Sequence, residues 1–235
     1  MKVSSILAGI VLFAFAAIPA CGQNYYYVRS EAAQPWGQNT NEDAMDNVFG
    51  PGNWTTLYYE TLDIGGLLSG STAFIFLEGG DSSFTAFANF MTTYATPLTD
   101  WIESGGRLLL VSAPNDPLNG ATVNLPDNIV LSADAFYASA ASAAWATDIS
   151  NPIFSGPNST AYYFTGDFFA HGYFSGMRVS SIMESDLGEV ILGQDLLGSG
   201  LMVFGGMTTD NFDLPQPAAH SLIENIIYYA AFTRL

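Results

Sequence analysis

The amino-acid sequence predicts an open, doubly wound α/β sheet of mostly parallel strands folded as a single domain, and three observations predict it. Residues 73–77 and 107–111 are short, almost wholly apolar runs, as strands covered on both faces require. Between them, Phe84, Phe87, Phe90, Met91 and Tyr94 recur at helical spacing. Strand, helix and strand thus alternate from residue 25 to residue 112, the order of βαβ units around a parallel sheet.

Each element has its own signal. Residues 25–29 are aromatic and β-branched and read as a first strand. Residues 41–49 read as a short helix, with Glu42, Asp43 and Asp46 near its amino end, where the macrodipole favours acids. Gly50-Pro51-Gly52 stops it, and residues 54–60 form a second strand ahead of the apolar third, 73–77. Residues 82–104 form either one interrupted helix or two in tandem, because Thr96 can cap and Pro97 suits a first turn. Gly105-Gly106 ends that segment before the strand at 107–111.

From residue 113 to 199 the pattern is less regular. Short strands are expected at 128–131, 161–165, 177–183 and 189–192, and the Ala-rich stretch 133–146 has a helical composition. A further strand, 201–204, ends in Gly205-Gly206. Pro217 then opens a closing helix whose Leu222, Ile223, Ile226, Ile227 and Ala230 make a core-facing stripe, with Arg234 in its last turn.

The first residues read as an address. Lys2 precedes an apolar run over 6–18, too short to span a bilayer and suited to a secretory signal. Residues 1–22 are therefore expected to be removed, leaving 23–235 as the domain. Two cleavage positions compete: after Gly22, through the small residues Ala20 and Gly22, or before Cys21, in a lipoprotein-like context that Pro19 makes unusual. The expected location is secreted or periplasmic, with a lipid anchor on Cys21 as the lesser alternative. Cys21 is the only cysteine, so the mature domain has neither a disulfide nor a thiolate.

Twenty-two acids face five bases, and removing the signal also removes the only lysine. Four arginines cannot line a phosphate track, which excludes nucleic acid, and an anionic membrane surface is disfavoured for the same reason. With 14% aromatic residues the chain is not disordered. Asn53-Trp54-Thr55 and Asn158-Ser159-Thr160 match the glycosylation acceptor pattern, which chance produces readily in an Asn/Ser/Thr-rich chain.

The run Phe74-Ile75-Phe76-Leu77-Glu78-Gly79-Gly80, a helix, and then Trp101 to Leu110 through Gly105-Gly106 resembles the class I glutamine amidotransferase-like superfamily, particularly its ThuA-like members. Residues 151–157 and 198–206 are similar to later segments of such domains. The resemblance spans most of residues 24–233 and implies a flavodoxin-like, amidotransferase-like sheet. Catalytic members carry a Cys nucleophile at the turn after a central strand; here that turn reads Ser112-Ala113-Pro114-Asn115. They also carry a His after the late strand, where this chain has Met207-Thr208-Thr209-Asp210. The family's thiol chemistry is thereby excluded.

Other chemistry has few carriers. No Gly-x-Ser-x-Gly elbow occurs. Asp167 and His171, four residues apart in a glycine-flanked loop, are the candidate catalytic pair, although a loop histidine more often bonds to backbone. His220 reads as a helix-surface residue. Ligands of open α/β sheets bind beyond the carboxyl ends of the strands, which points to Glu78, Asp81, Asn115, Asp116, Thr208 and Asp210. Gathered together, these oxygens would suit Ca²⁺ or sugar hydroxyls, although turns and caps use the same residues; no other cofactor is expected. Tyr25-Tyr26-Tyr27, Trp36, Trp54 and Tyr58-Tyr59 could stack on sugars, but aromatics in strands more often belong to the core. The expectation is a binding module for an extracellular carbohydrate or protein. A self-associating structural subunit and a hydrolase acting on a sugar or ester are the alternatives.

Overall fold

The computed structural model describes residues 23–115, 120–133, 142–166 and 169–235. The first four strands are β1 (Asn24–Arg29), β2 (Thr55–Tyr58), β3 (Thr72–Glu78) and β4 (Arg107–Val111). There follow β5 (Thr122–Asn124), β6 (Val130–Ala133), β7 (Ala143–Ala146), β8 (Tyr163–Thr165), β9 (Gly172–Ser175), β10 (Ser180–Ser185), β11 (Val190–Leu197) and β12 (Gly200–Gly205). The helices are α1 (Thr40–Phe49), the one-turn α2 (Ile64–Leu67), α3 (Phe84–Glu103) and α4 (Ala218–Phe232).

The expected open α/β sheet is the observed one. Parallel pairing covers five strands in the order β2-β1-β3-β4-β12. The sheet continues antiparallel through β11, β10, β7 and β8, while β9 joins β11 to β6 and β6 joins β5. The antiparallel strands all lie between β4 and β12 in sequence and form a wing inserted into the parallel frame.

Alternation along β3 shows why its apolar run is continuous. Phe74 and Phe76 join Tyr25, Tyr27, Leu109 and Val203 under α1 and α4, against Met45, Phe49, Leu222 and Ile226. Ile75 and Leu77 point the other way and join Leu108, Leu110, Met202 and Phe204 under α3, against Phe87, Met91, Leu98 and Ile102. Each such side chain contributes roughly 1.5–3 kcal/mol of burial, so both layers depend on strands with no polar face.

Three expectations need correction. The 82–104 segment is one continuous helix, α3, with Pro97 inside it. Pro97 and Thr93 are both solvent-exposed, so the Thr93 carbonyl that loses its partner faces water, while Leu98 and Ile102 keep the helix on the sheet. Of the Ala-rich stretch, residues 134–141 lie outside the described residues; 143–146 is the strand β7, not helix. Ala144 is fully buried there and Trp145 pairs with Tyr163, so tertiary pairing overrides alanine's helical propensity. The strand expected at 128–131 starts at Val130, because Asp127 and Asn128 adopt left-handed φ values of 57° and 59°. β5, β9 and α2 carry too weak a pattern to be read from sequence. Among the described residues no helix is long and apolar enough to cross a membrane.

Glycines set the closest approaches. A Cβ on Gly106 would enter the Trp101 ring, and one on Gly206 would run into the Gly172 carbonyl oxygen. Gly206→Ala is therefore expected to destabilise the fold by about 2–3 kcal/mol in urea unfolding. Gly70→Ala, with open space around it, should be neutral. Equal stability of the two variants would refute this packing argument.

Candidate functional site

In the strand order β2-β1-β3-β4-β12, the crevice lies beyond the carboxyl ends of β1 and β3, where successive connections diverge. Here the loop after β1 reaches across to the end of β3. Trp36, at a left-handed φ of 55°, donates its backbone N–H to Asp81 Oδ2 at 3.1 Å. Its ring stands edge-on to His171 at 4.9 Å and to Phe212 at 6.1 Å.

Glu78 ends β3 and is buried. Its Oε1 accepts the Gly80 N–H at 2.5 Å, and its Oε2 accepts Asn41 Nδ2 of α1 at 2.6 Å. Burial pushes its carboxyl up to about 8; the two hydrogen bonds oppose the shift and the nearby Asp81 charge adds to it. Glu78 is thus largely a neutral acid at pH 7, and the Tyr59 hydroxyl donates to its backbone carbonyl at 3.0 Å.

The turn after β4 is closed internally. Ser112 is fully buried, and its Oγ donates to the Gly79 carbonyl at 2.8 Å. His171 is buried, with Nδ1 3.0 Å from the Pro114 carbonyl, and its N–H donates to the Gly206 carbonyl at 2.9 Å. Asn115 is half-buried at the end of this turn. Asp116 and Asp167 lie outside the described residues.

After β12, Thr208, Thr209, Asp210 and Asp213 are all buried. Asp210 Oδ2 lies 2.8 Å from His220 Nδ1, and His220 Nε2 lies 3.0 Å from Glu224 Oε1. Glu224 also accepts from Asn47 at 2.7 Å and from Asn158. Burial, with the Asp210 charge second, raises the Asp213 carboxyl well above its usual range. Asn41, Thr208, Asp210 and Asp213 line a small cavity of about 20 Å³, room for roughly one water.

Glu78, Asp81, His171, Thr208 and Asp210 stand at the carboxyl edge of the sheet, each bonded to partners of its own, and all but Asp81 are buried. Among the described residues no three His, Cys, Asp or Glu side chains gather as a metal site. Asn41 and Asp213 carry no signal in the sequence, and His220, which reads there as a helix-surface residue, reaches both Asp210 and Glu224. For His220 a usable signal was Glu224 four residues on, one turn along the same helix face.

Of the aromatics that could stack on sugars, several are taken up internally, as strand aromatics more often are. Tyr25 and Tyr27 are core, Trp54 donates to Asp46 at 2.8 Å, and Tyr58 lies under the Arg29 guanidinium at 5.0 Å. The two acceptor asparagines also spend their side-chain amides internally, Asn53 on the Phe49 carbonyl and Asn158 on Glu224. On the wing, by contrast, Trp145 and Tyr163 are 42% and 45% exposed, opposite each other on β7 and β8. Their ring centroids are 5.5 Å apart and tilted by 48°.

No family model matches the chain, and no curated protein matches it in sequence. The fold is similar to two solved structures from Salmonella typhimurium described as cytoplasmic proteins. STM1381 of strain LT2 aligns with a TM-score of 0.54 and 11% identity over 89% of this chain and 100% of its own. STM3548 aligns at 0.53 and 11% identity over 90% and 100%. An exo-β-1,4-mannosidase from Opitutaceae bacterium strain TAV5 aligns at 0.49 and 16% identity over 91% of this chain and 36% of its own, so this chain spans about a third of that enzyme. At these identities the Salmonella likenesses speak for the fold alone.

Glu78 gives the cluster a pH signature. Because the folded chain holds a proton that the unfolded chain releases, stability falls as pH rises from 4.5 toward about 8. Glu78→Gln is expected to flatten that slope by up to a few kcal/mol in urea melts across the range. Superimposable slopes for the variant and the parent would place the pH dependence on other groups.

Proposed function

We propose that the chain is a secreted, non-catalytic binding module on an amidotransferase-like scaffold, recognising an extracellular carbohydrate or protein partner. The turn after β4 carries this reading. The turn that would match the thiol-bearing turn of catalytic members, Ser112-Ala113-Pro114-Asn115, holds no cysteine; the Ser112 hydroxyl donates to the Gly79 carbonyl and His171 lies against the Pro114 carbonyl. Both side chains are buried, and the Trp36 ring stands edge-on to His171. An open scaffold edge closed in this way favours recognition over turnover. The signal-like residues 1–22 and an excess of acids suit an exported protein that stays dispersed.

Two measurements test the reading. Incubated with a panel of chromogenic glycosides and esters, the exported chain is expected to give no turnover above buffer. Turnover that His171→Ala or His220→Ala abolishes without lowering the melting temperature would overturn the non-catalytic reading. Amino-terminal sequencing of the exported protein should begin at Gln23. A fatty-acyl label that Cys21→Ser removes would replace release with lipid anchoring, and a chain retained in the cytoplasm with residues 1–22 intact would refute export.

A further inference from the structure

Resting on the binding-module reading, we infer that Trp145 and Tyr163 form the seat for one sugar unit of a neutral, soluble glycan, with Glu184 beside them as hydroxyl acceptor. The two aromatics face each other across β7 and β8, and both remain more than two-fifths exposed although Ala144 and Phe164, their neighbours on those strands, are fully buried. Apolar rings of this size usually go inside, so an exposed cross-strand pair marks a contact surface. Glu184 is the partner of Trp145 on the other side, in β10. Cross-strand neighbours on one face are within side-chain reach, so aromatic faces and a carboxylate stand together.

That combination suits a pyranose, whose C–H face packs on a ring while its hydroxyls donate to an acceptor. The charge and the tilt narrow the class further. The mature chain holds 22 acids and four arginines, so a polyanionic glycan is repelled at long range. Rings tilted by 48° are not the coplanar platform that a flat crystalline surface would require.

Affinity gel electrophoresis of the mature chain tests this, with soluble mannan, xylan and mixed-linkage glucan, polygalacturonate as the anionic polymer, and a pull-down on crystalline cellulose. At least one neutral soluble glycan is expected to retard the protein, and polygalacturonate and cellulose are not. Trp145→Ala and Tyr163→Ala should each weaken binding roughly tenfold or more at unchanged melting temperature. Trp145→Phe should restore part of the affinity. Tyr162→Ala, at an exposed tyrosine packed instead on Phe154, should leave it unaltered. Glycan binding that survives both alanine variants would overturn the seat and leave the module reading standing. Retardation by polygalacturonate alone, capture by cellulose alone, or no retention of the parent would overturn the glycan assignment. In the last case, capture of a protein partner would still satisfy the broader reading.

Discussion

Where β12 ends, Gly206 and Gly172 meet backbone to backbone, because a side chain on Gly206 would occupy the Gly172 carbonyl and one on Gly172 would press on the Ser112 carbonyl. His171 ties the same strands by donating its N–H to the Gly206 carbonyl. On the far side of Ser112, Gly79 sits so close that a Cβ would touch both Phe87 and the Ser112 hydroxyl. The carboxyl edge of the sheet is thus closed by main chain packed on main chain. Close-packed main chain of this kind yields little. The layout of the rest of the molecule follows from this closure.

A chain so rich in acids still buries several of them, and each is accommodated by different chemistry. Glu78 remains largely protonated at neutral pH, because two hydrogen bonds do not offset full burial. Asp210 lies against His220, which in turn reaches Glu224. Asp195, buried on β11, meets Arg178, which also contacts Asp127 at 2.8 Å. Leaving any of these groups as an isolated ion would cost several kcal/mol. Exposed acids such as Asp100, Glu103 and Asp186 oppose association with other anionic surfaces.

The parallel half was legible because double-sided burial writes itself as nearly continuous apolar runs at 73–77, 107–111 and 201–204, each bordered by a glycine pair at one end. The wing was legible in part: the strands expected at 128–131, 161–165, 177–183 and 189–192 overlap β6, β8, β10 and β11, but β5 and β9 are only three and four residues long and β7 is three-quarters alanine, so their definition lies in long-range pairing. The cluster at the carboxyl edge was legible in position only. Glu78, Asp81, Thr208 and Asp210 do stand at strand ends, yet sequence does not say that Trp36 would turn left-handed and reach across to Asp81. Asn41, which bridges Glu78 to the Asp210 cavity, looked like an ordinary residue of a short helix.

The wing also explains how this frame can do without its usual cleft. A parallel strand pair must be joined by a crossover, and between β3 and β4 that crossover is α3, which covers the sheet. Between β4 and β12 the crossover is instead a set of antiparallel strands, and antiparallel sheets tolerate water on one face. Ala144 and Phe164 pack their inner side into the same core as α4, so the opposite side is released from packing. Side chains on that side can be chosen for contact with something outside. It is there, away from the closed edge, that the chain places an aromatic pair in water.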